Sequence, residues 1–179
     1  RFDVDTLTAV GRPLELAGPV GDIRISAGGE TALITIPDED ILLTVDIPGW
    51  RATGVEVLVG DLPTEVAWDQ TRGLALVANW RSESLSVVDF LLEPPEVTGE
   101  LFLMGSFTSI DAAPWADRAV LSMRAPDQIT LLEMVGEGDV VEGVSLAAGT
   151  APSAVRFIQG SSRVLVAASG EAAVKAVEV

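Results

Sequence analysis

Apolar runs of about five residues, separated by turns rich in Gly, Pro, Asp and Ser, recur along almost the whole chain. Each run is strand-sized, and none continues with the i, i+3, i+4 spacing that would mark a helix face. One arrangement repeats. Its first copy runs from Ile23 to Ile47: an alternating strand from Ile23 to Ser26, a Gly28-Gly29 turn, an apolar strand from Ala32 to Ile36, the loop Pro37 to Asp40, and a strand from Ile41 to Ile47. The second runs from Val66 to Phe90, with Val66 to Trp68, a turn ending at Gly73, Leu74 to Ala78, the loop Asn79 to Ser84, and Leu85 to Phe90. The third starts at Ile110 and continues through Ala119 to Met123 and Ile129 to Met134. The fourth starts at Val155 and continues through Val164 to Ala168 and Val174 to Val179. The equivalent positions Ile23, Val66, Ile110 and Val155 are spaced by 43, 44 and 45 residues.

A further strand-like segment lies between copies, at Val55 to Val59, Leu101 to Met104 and Val144 to Ala148, and a matching one at Leu14 to Ala17 precedes the first. Each period therefore holds about four strands. A period of roughly 40 to 50 residues with four strands per unit predicts an all-β β-propeller of four consecutive four-stranded blades, repeating from near residues 23, 66, 110 and 155 within one region, 1–179. A β-sandwich would not repeat its sequence at a fixed interval. The second strand of each copy is almost uniformly apolar, as in Leu74-Ala75-Leu76-Val77-Ala78, which is what a central strand covered on both faces requires. The third strand ends on an acidic residue between apolar ones: Asp46, Asp89, Glu133 and Glu178. These carboxylates are expected to accept N–H groups of the following turn, a structural role.

Projecting the period backwards aligns Arg1-Phe2-Asp3-Val4 with Thr44-Val45-Asp46-Ile47, the end of a third strand. That register points to a longer propeller of six to eight blades. The alternative is a closed four-bladed ring in which the segment near Leu14 supplies the outer strand that the last blade lacks.

The motifs of the second copy resemble the YVTN-type repeat, a relative of the NHL and lactonase-like propellers. The residues carrying the resemblance are Pro63 and Val66-Ala67-Trp68, then Arg72-Gly73-Leu74-Ala75-Leu76-Val77-Ala78-Asn79, then Leu85-Ser86-Val87-Val88-Asp89-Phe90. The other copies keep the apolar skeleton but carry Met123 and Ala168 where the second has Asn79. The resemblance implies a fold strongly and an activity weakly, because the repeat is a packing motif. Lactonase-like relatives rely on a divalent metal held by carboxylates and Asn in the central channel, and Asn79 is the only Asn here.

Composition narrows the chemistry further. With 27 acidic against 11 basic residues and a net charge of -16, a nucleic-acid partner held by phosphate contacts is disfavoured, as is an anionic membrane surface. No segment reaches the roughly 20 apolar residues of a membrane helix, so membrane insertion is not expected. The chain has no His and no Cys, which excludes Ser-His-Asp and Cys-His catalysis, His-ligated zinc and disulfides. No catalytic residue and no cofactor is expected.

Two loop features remain. Asp38, Glu39 and Asp40 bring three carboxylates together in the first copy and are metal-ligand candidates, with Ca2+ as the fitting ion. Their spacing matches no EF-hand loop, and a solvated turn is the favoured reading. Trp80 and Arg81 stand at a loop tip and are partner-binding candidates, since those residue types dominate interface energetics. Trp50, Trp68 and Trp115 read as core or blade-edge packing. The loop face varies in chemistry between copies while the strands do not, as in a binding scaffold. The favoured expectation is a non-catalytic scaffold, secreted, periplasmic or at the cell surface, that binds a protein or glycan through this face. The alternative is a metal-assisted, lactonase-like hydrolase whose ligands lie partly outside this chain.

Overall fold

The computed structural model describes residues 5, 6, 8, 11–136 and 138–179; the register assigned to Arg1-Phe2-Asp3-Val4 falls outside them. The described residues form fifteen strands in four antiparallel sheets. The first sheet holds β1 (Ile23–Ile25), β2 (Thr31–Ile36), β3 (Ile41–Asp46) and β4 (Arg51–Leu58). The second holds β5 (Pro63–Asp69), β6 (Leu74–Asn79), β7 (Ser84–Asp89) and β8 (Glu96–Phe102). The third holds β9 (Ser106–Ala113), β10 (Arg118–Arg124), β11 (Gln128–Val135) and β12 (Asp139–Leu146). The fourth has three strands, β13 (Pro152–Phe157), β14 (Arg163–Ala168) and β15 (Ala173–Glu178).

Strand pairing reproduces the repeat residue by residue. Ile23 lies opposite Ile34, Val66 opposite Val77, Ile110 opposite Leu121 and Val155 opposite Val166. The first strands of successive sheets lie against one another, so the sheets converge on them and splay toward the outer strands. This is the arrangement of propeller blades. The sheets pack in sequence order and do not close into a ring of four.

Cores form between blades, and the central strands show why they are apolar on both faces. In β6, Ala75 and Val77 pack with Leu33, Leu42 and Val57 of the first blade. Leu74, Leu76 and Ala78 point the other way, onto Phe107, Ile110, Ala119 and Leu121 of the third. Period-2 alternation thus divides one continuous apolar run between two cores. Val120, Ile129 and Leu131 repeat the device against Val155, Val164 and Val166 of the fourth blade. Each fully buried Leu or Ile contributes about 1.5–3 kcal/mol.

Two expectations fail. Leu14 to Ala17 is not a strand. It lies across a face of the first blade, where Leu14 and Leu16 pack on Ala32, Ile34 and Val45, and the Trp50 indole N–H holds it by donating to the Arg12 carbonyl at 2.8 Å. Pro13 beside it lacks the N–H that a ladder would need. The strand exchange proposed for a closed ring is therefore absent. The outer strands also begin earlier than the apolar pattern indicates: β8 starts at Glu96 and is exposed or half-exposed throughout. Only its later half carries the apolar signal, because one edge and much of its surface face water.

Candidate functional site at the blade ends

The innermost strands each have a free edge, and its N–H and C=O groups need partners. Charged side chains from neighbouring blades supply them. The Asp22 carboxylate accepts the Val66 N–H at 3.2 Å, as well as the Ile23 N–H at 2.8 Å. Glu65 stands one repeat later, immediately before Val66 as Asp22 stands before Ile23, and accepts the Ile110 N–H. At the next junction Asp111 takes over, accepting the Phe157 N–H at 2.8 Å. Cations serve the carbonyls: Arg24 donates to the Ile110 carbonyl at 3.4 Å, and Arg156 to that same carbonyl at 3.4 Å and to the Ser109 hydroxyl at 2.9 Å.

Asp22, Arg24, Glu65 and Asp111 are half-buried, and Arg156 beside them is exposed. Burial, reinforced by the Asp22 charge, pushes the Glu65 carboxyl up to about 7, against the opposing pull of Arg24, Arg156 and the Ile110 N–H. Burial also raises Asp111 above the ordinary range, opposed by the Phe157 N–H and the two arginines. Glu65 can therefore hold or release a proton near neutrality. None of these residues was singled out from the sequence. The available signal was a charge immediately beside each anchor of the repeat: Asp22 and Arg24 around Ile23, Glu65 before Val66, Asp111 after Ile110, Arg156 after Val155.

The loops between second and third strands share a face with the loops that lead into the next blade, as the antiparallel order requires. Asp40 ends a single 3-10 turn, Pro37–Glu39, in the left-handed region at φ 55. Its carboxylate accepts the Leu62 N–H at 2.8 Å and its carbonyl accepts the Val59 N–H at 2.9 Å. Asp38 and Glu39 are exposed, and no three Asp or Glu side chains converge in a metal-holding group among the described residues. The acidic loop thus joins two turns through Asp40. Asn79 is buried at the end of β6, where its amide donates to Ser84 and Ser86, away from any carboxylate cluster.

Trp80 and Arg81 occupy the corresponding loop of the second blade. Their N–H groups donate to the Leu62 and Asp61 carbonyls at 2.9 and 3.2 Å, which fixes the backbone, and the Trp80 side chain remains 47% exposed. Trp68 packs against Phe90 in a tilted arrangement, ring centroids 5.9 Å apart, in the first inter-blade core. Trp115 sits at the opposite end of the blades, edge-on to Phe157 and donating to the Ser161 carbonyl at 3.3 Å, across the junction of the third and fourth blades.

The acidic residues ending the third strands divide into two kinds. Asp46 accepts the Gly49 N–H at 3.1 Å, which lowers its pKa, and Asp89 accepts the Leu91 N–H at 2.7 Å, as the turn role requires. Glu133 and Glu178 do not serve a following turn. Glu133 is exposed opposite Arg118, and Glu178 bonds the Ser162 hydroxyl and the Arg163 side chain, the latter at 2.7 Å. β11 continues past Glu133 to Val135 and sets it opposite Val141 of β12, so no turn begins beside it.

These features define a β-propeller. No protein-family model matches the sequence, and no curated protein matches it. Solved structures do match it. A functionally unknown protein from Desulfotomaculum acetoxidans superposes with a TM-score of 0.87 at 14% identity, over 99% of this chain and 57% of that one. A candidate 6-phosphogluconolactonase from Bacteroides uniformis gives 0.83 at 14% identity, over 99% and 59%. A chain of the mitotic checkpoint complex gives 0.77 at 12% identity, over 92% and 50%. At such identities the likeness is one of fold. This chain spans between half and three fifths of each of these structures.

Proposed function

We propose that this chain is part of a YVTN-type propeller that acts as a non-catalytic scaffold and binds a protein partner through its loop face. The observation that carries the reading is Trp80, a large aromatic side chain left half-exposed on a backbone fixed by two inter-loop hydrogen bonds. A rigid, exposed aromatic beside Arg81 loses little entropy on binding, as interface anchors require. Saturation of the inner-edge charges by backbone groups supports the same reading, since those residues join blades. Peptides selected by display on the wild-type chain test it: they should lose binding to a Trp80→Ala, Arg81→Ala double variant of unchanged thermal stability. Selected peptides that bind both proteins equally would refute it.

The second reading is a metal-assisted, lactonase-like hydrolase with ligands partly outside this chain. It is favoured by Glu65, which titrates near neutrality beside Arg24 and Arg156, and by the candidate lactonase among the structures of like fold. Lactone turnover in the presence of Ca2+, Mg2+ or Zn2+, abolished by Glu65→Gln, would establish it over the scaffold.

A further inference from the structure

The three loops that lead from one blade to the next can be aligned through their backbone bonds. Val59 donates to the Asp40 carbonyl and Leu103 to the Glu83 carbonyl, so the residues that follow, Gly60 and Met104, are equivalent. The third loop carries Gly149 at this position, after the buried Ala148 that matches Leu103. Two blades thus have glycine where the second has a methionine that is 86% exposed. Phe102 beside it is 69% exposed. Two large apolar side chains in open solvent bring no gain to the fold.

They border a groove of about 730 Å³ between the second and third blades. Its lining includes the buried Leu103 and Met123 and the exposed Pro126, and its charged residues are Glu83 and Glu142 alone. Both glutamates are exposed, and no Lys or Arg lines it. A cleft that mixes apolar side chains with Ser106 and Gln128, and whose only charges are two carboxylates, is complementary to an apolar side chain flanked by cations. The net charge of -16 opposes a second copy of this chain or an anionic surface in the same place. Methionine and an exposed aromatic suit an occupant whose shape varies, because the thioether repacks readily.

We infer that this groove is a docking site for a protein segment that inserts a Leu- or Phe-sized side chain between Phe102 and Met104 and sets Lys or Arg residues against Glu83 and Glu142. The inference rests on the loop-face scaffold reading and adds a site distinct from Trp80, which does not line the groove. The test is fluorescence anisotropy of a dye-labelled octapeptide with two central Leu residues flanked by Lys, and of its counterpart with Glu in place of Lys. The Lys peptide should bind and the Glu peptide should not. Met104→Gly, which installs the residue of the other two loops, should weaken binding about tenfold, and a Glu83→Gln, Glu142→Gln double variant should weaken it several-fold and flatten its salt dependence. All three side chains are exposed, so melting temperatures should stay unchanged. Equal binding of both peptides, or no loss in either variant, would overturn the groove. If Trp80→Ala abolishes Lys-peptide binding and Met104→Gly does not, the groove falls while the loop-face reading stands. If neither substitution matters, the groove falls, and the loop-face reading is decided separately by the display-selected peptides.

Discussion

Strands β6 and β14 occupy equivalent places in their blades and have similar sequences, yet their surroundings differ. Every residue of β6 is buried, because the second blade lies between the first and the third. In β14 only Val164, Val166 and Ala168 are buried, and Val164 and Val166 pack with the third blade. Leu76 and Leu165 pair with equivalent partners in register and are 0% and 41% exposed. Apolar sequence in a propeller therefore specifies readiness for two neighbours, and the neighbours decide what it contributes. The first blade shows an intermediate case, since Leu14 and Leu16 cover part of its outward face without a blade behind them.

The sharpest way to break this comparison is to truncate the paired leucines. Leu76→Ala opens a cavity among residues of two blades and should destabilise this chain by about 2–5 kcal/mol. Leu165→Ala removes a half-exposed side chain and should cost less than about 1 kcal/mol. Urea denaturation of both variants measures the gap, and equal losses would mean that the inter-blade cores do not govern stability.

Glu65 allows a smaller effect to be read against pH. Its folded pKa of about 7 lies above the ordinary value of 4.5, so the folded state holds the proton more tightly than the unfolded one. That contribution is full below 4.5 and is lost as pH rises through 7. Glu65→Gln keeps an oxygen for the Ile110 N–H and removes the titration. At pH 8 the variant should be more stable than wild type by on the order of 1–2 kcal/mol, reduced from the full shift by partial exposure. At pH 4 the two should coincide. Paired thermal melts across this range check the prediction, and a parallel pH dependence in both proteins would sink it.

The smallest effect separates the two kinds of acidic strand end. Asp89→Ala leaves the Leu91 N–H without its acceptor and should cost about 1 kcal/mol, with Asp89→Asn restoring part of the loss. Glu178→Ala, at an exposed position serving only Ser162 and Arg163, should cost less. Equilibrium unfolding of the three variants ranks them.

The blades were legible because their signal is local: alternation, a repeated interval and turn residues lie along the chain itself. Ile23, Val66, Ile110 and Val155 were correctly aligned on those grounds alone. The inner-edge charges left only a weak mark, a charge beside each repeat anchor, which does not say which of the 27 acidic residues will lie within reach of another blade's backbone. Glu65 gains its character from Asp22 and Arg156, which are remote in sequence. The segment around Leu14 misled for the converse reason: its alternation is real, but a short apolar segment can lie across a sheet as well as along its edge.

The contacts that join blades also bear on how the chain reaches this state. Asp22 meets Val66, Gln70 meets Ala27, Thr108 meets Pro152 and Trp115 meets Ser161, each pair 43–46 residues apart. Arg24 with Ile110 is an exception that reaches across two junctions. Interactions of this range couple nearest neighbours, so the molecule behaves as a short one-dimensional array in which ordered units template the next. Its closing distance stays constant however many units precede, which holds the loop-entropy cost of each added blade near that of the first. During synthesis, each blade can dock on its predecessor as soon as it has itself emerged.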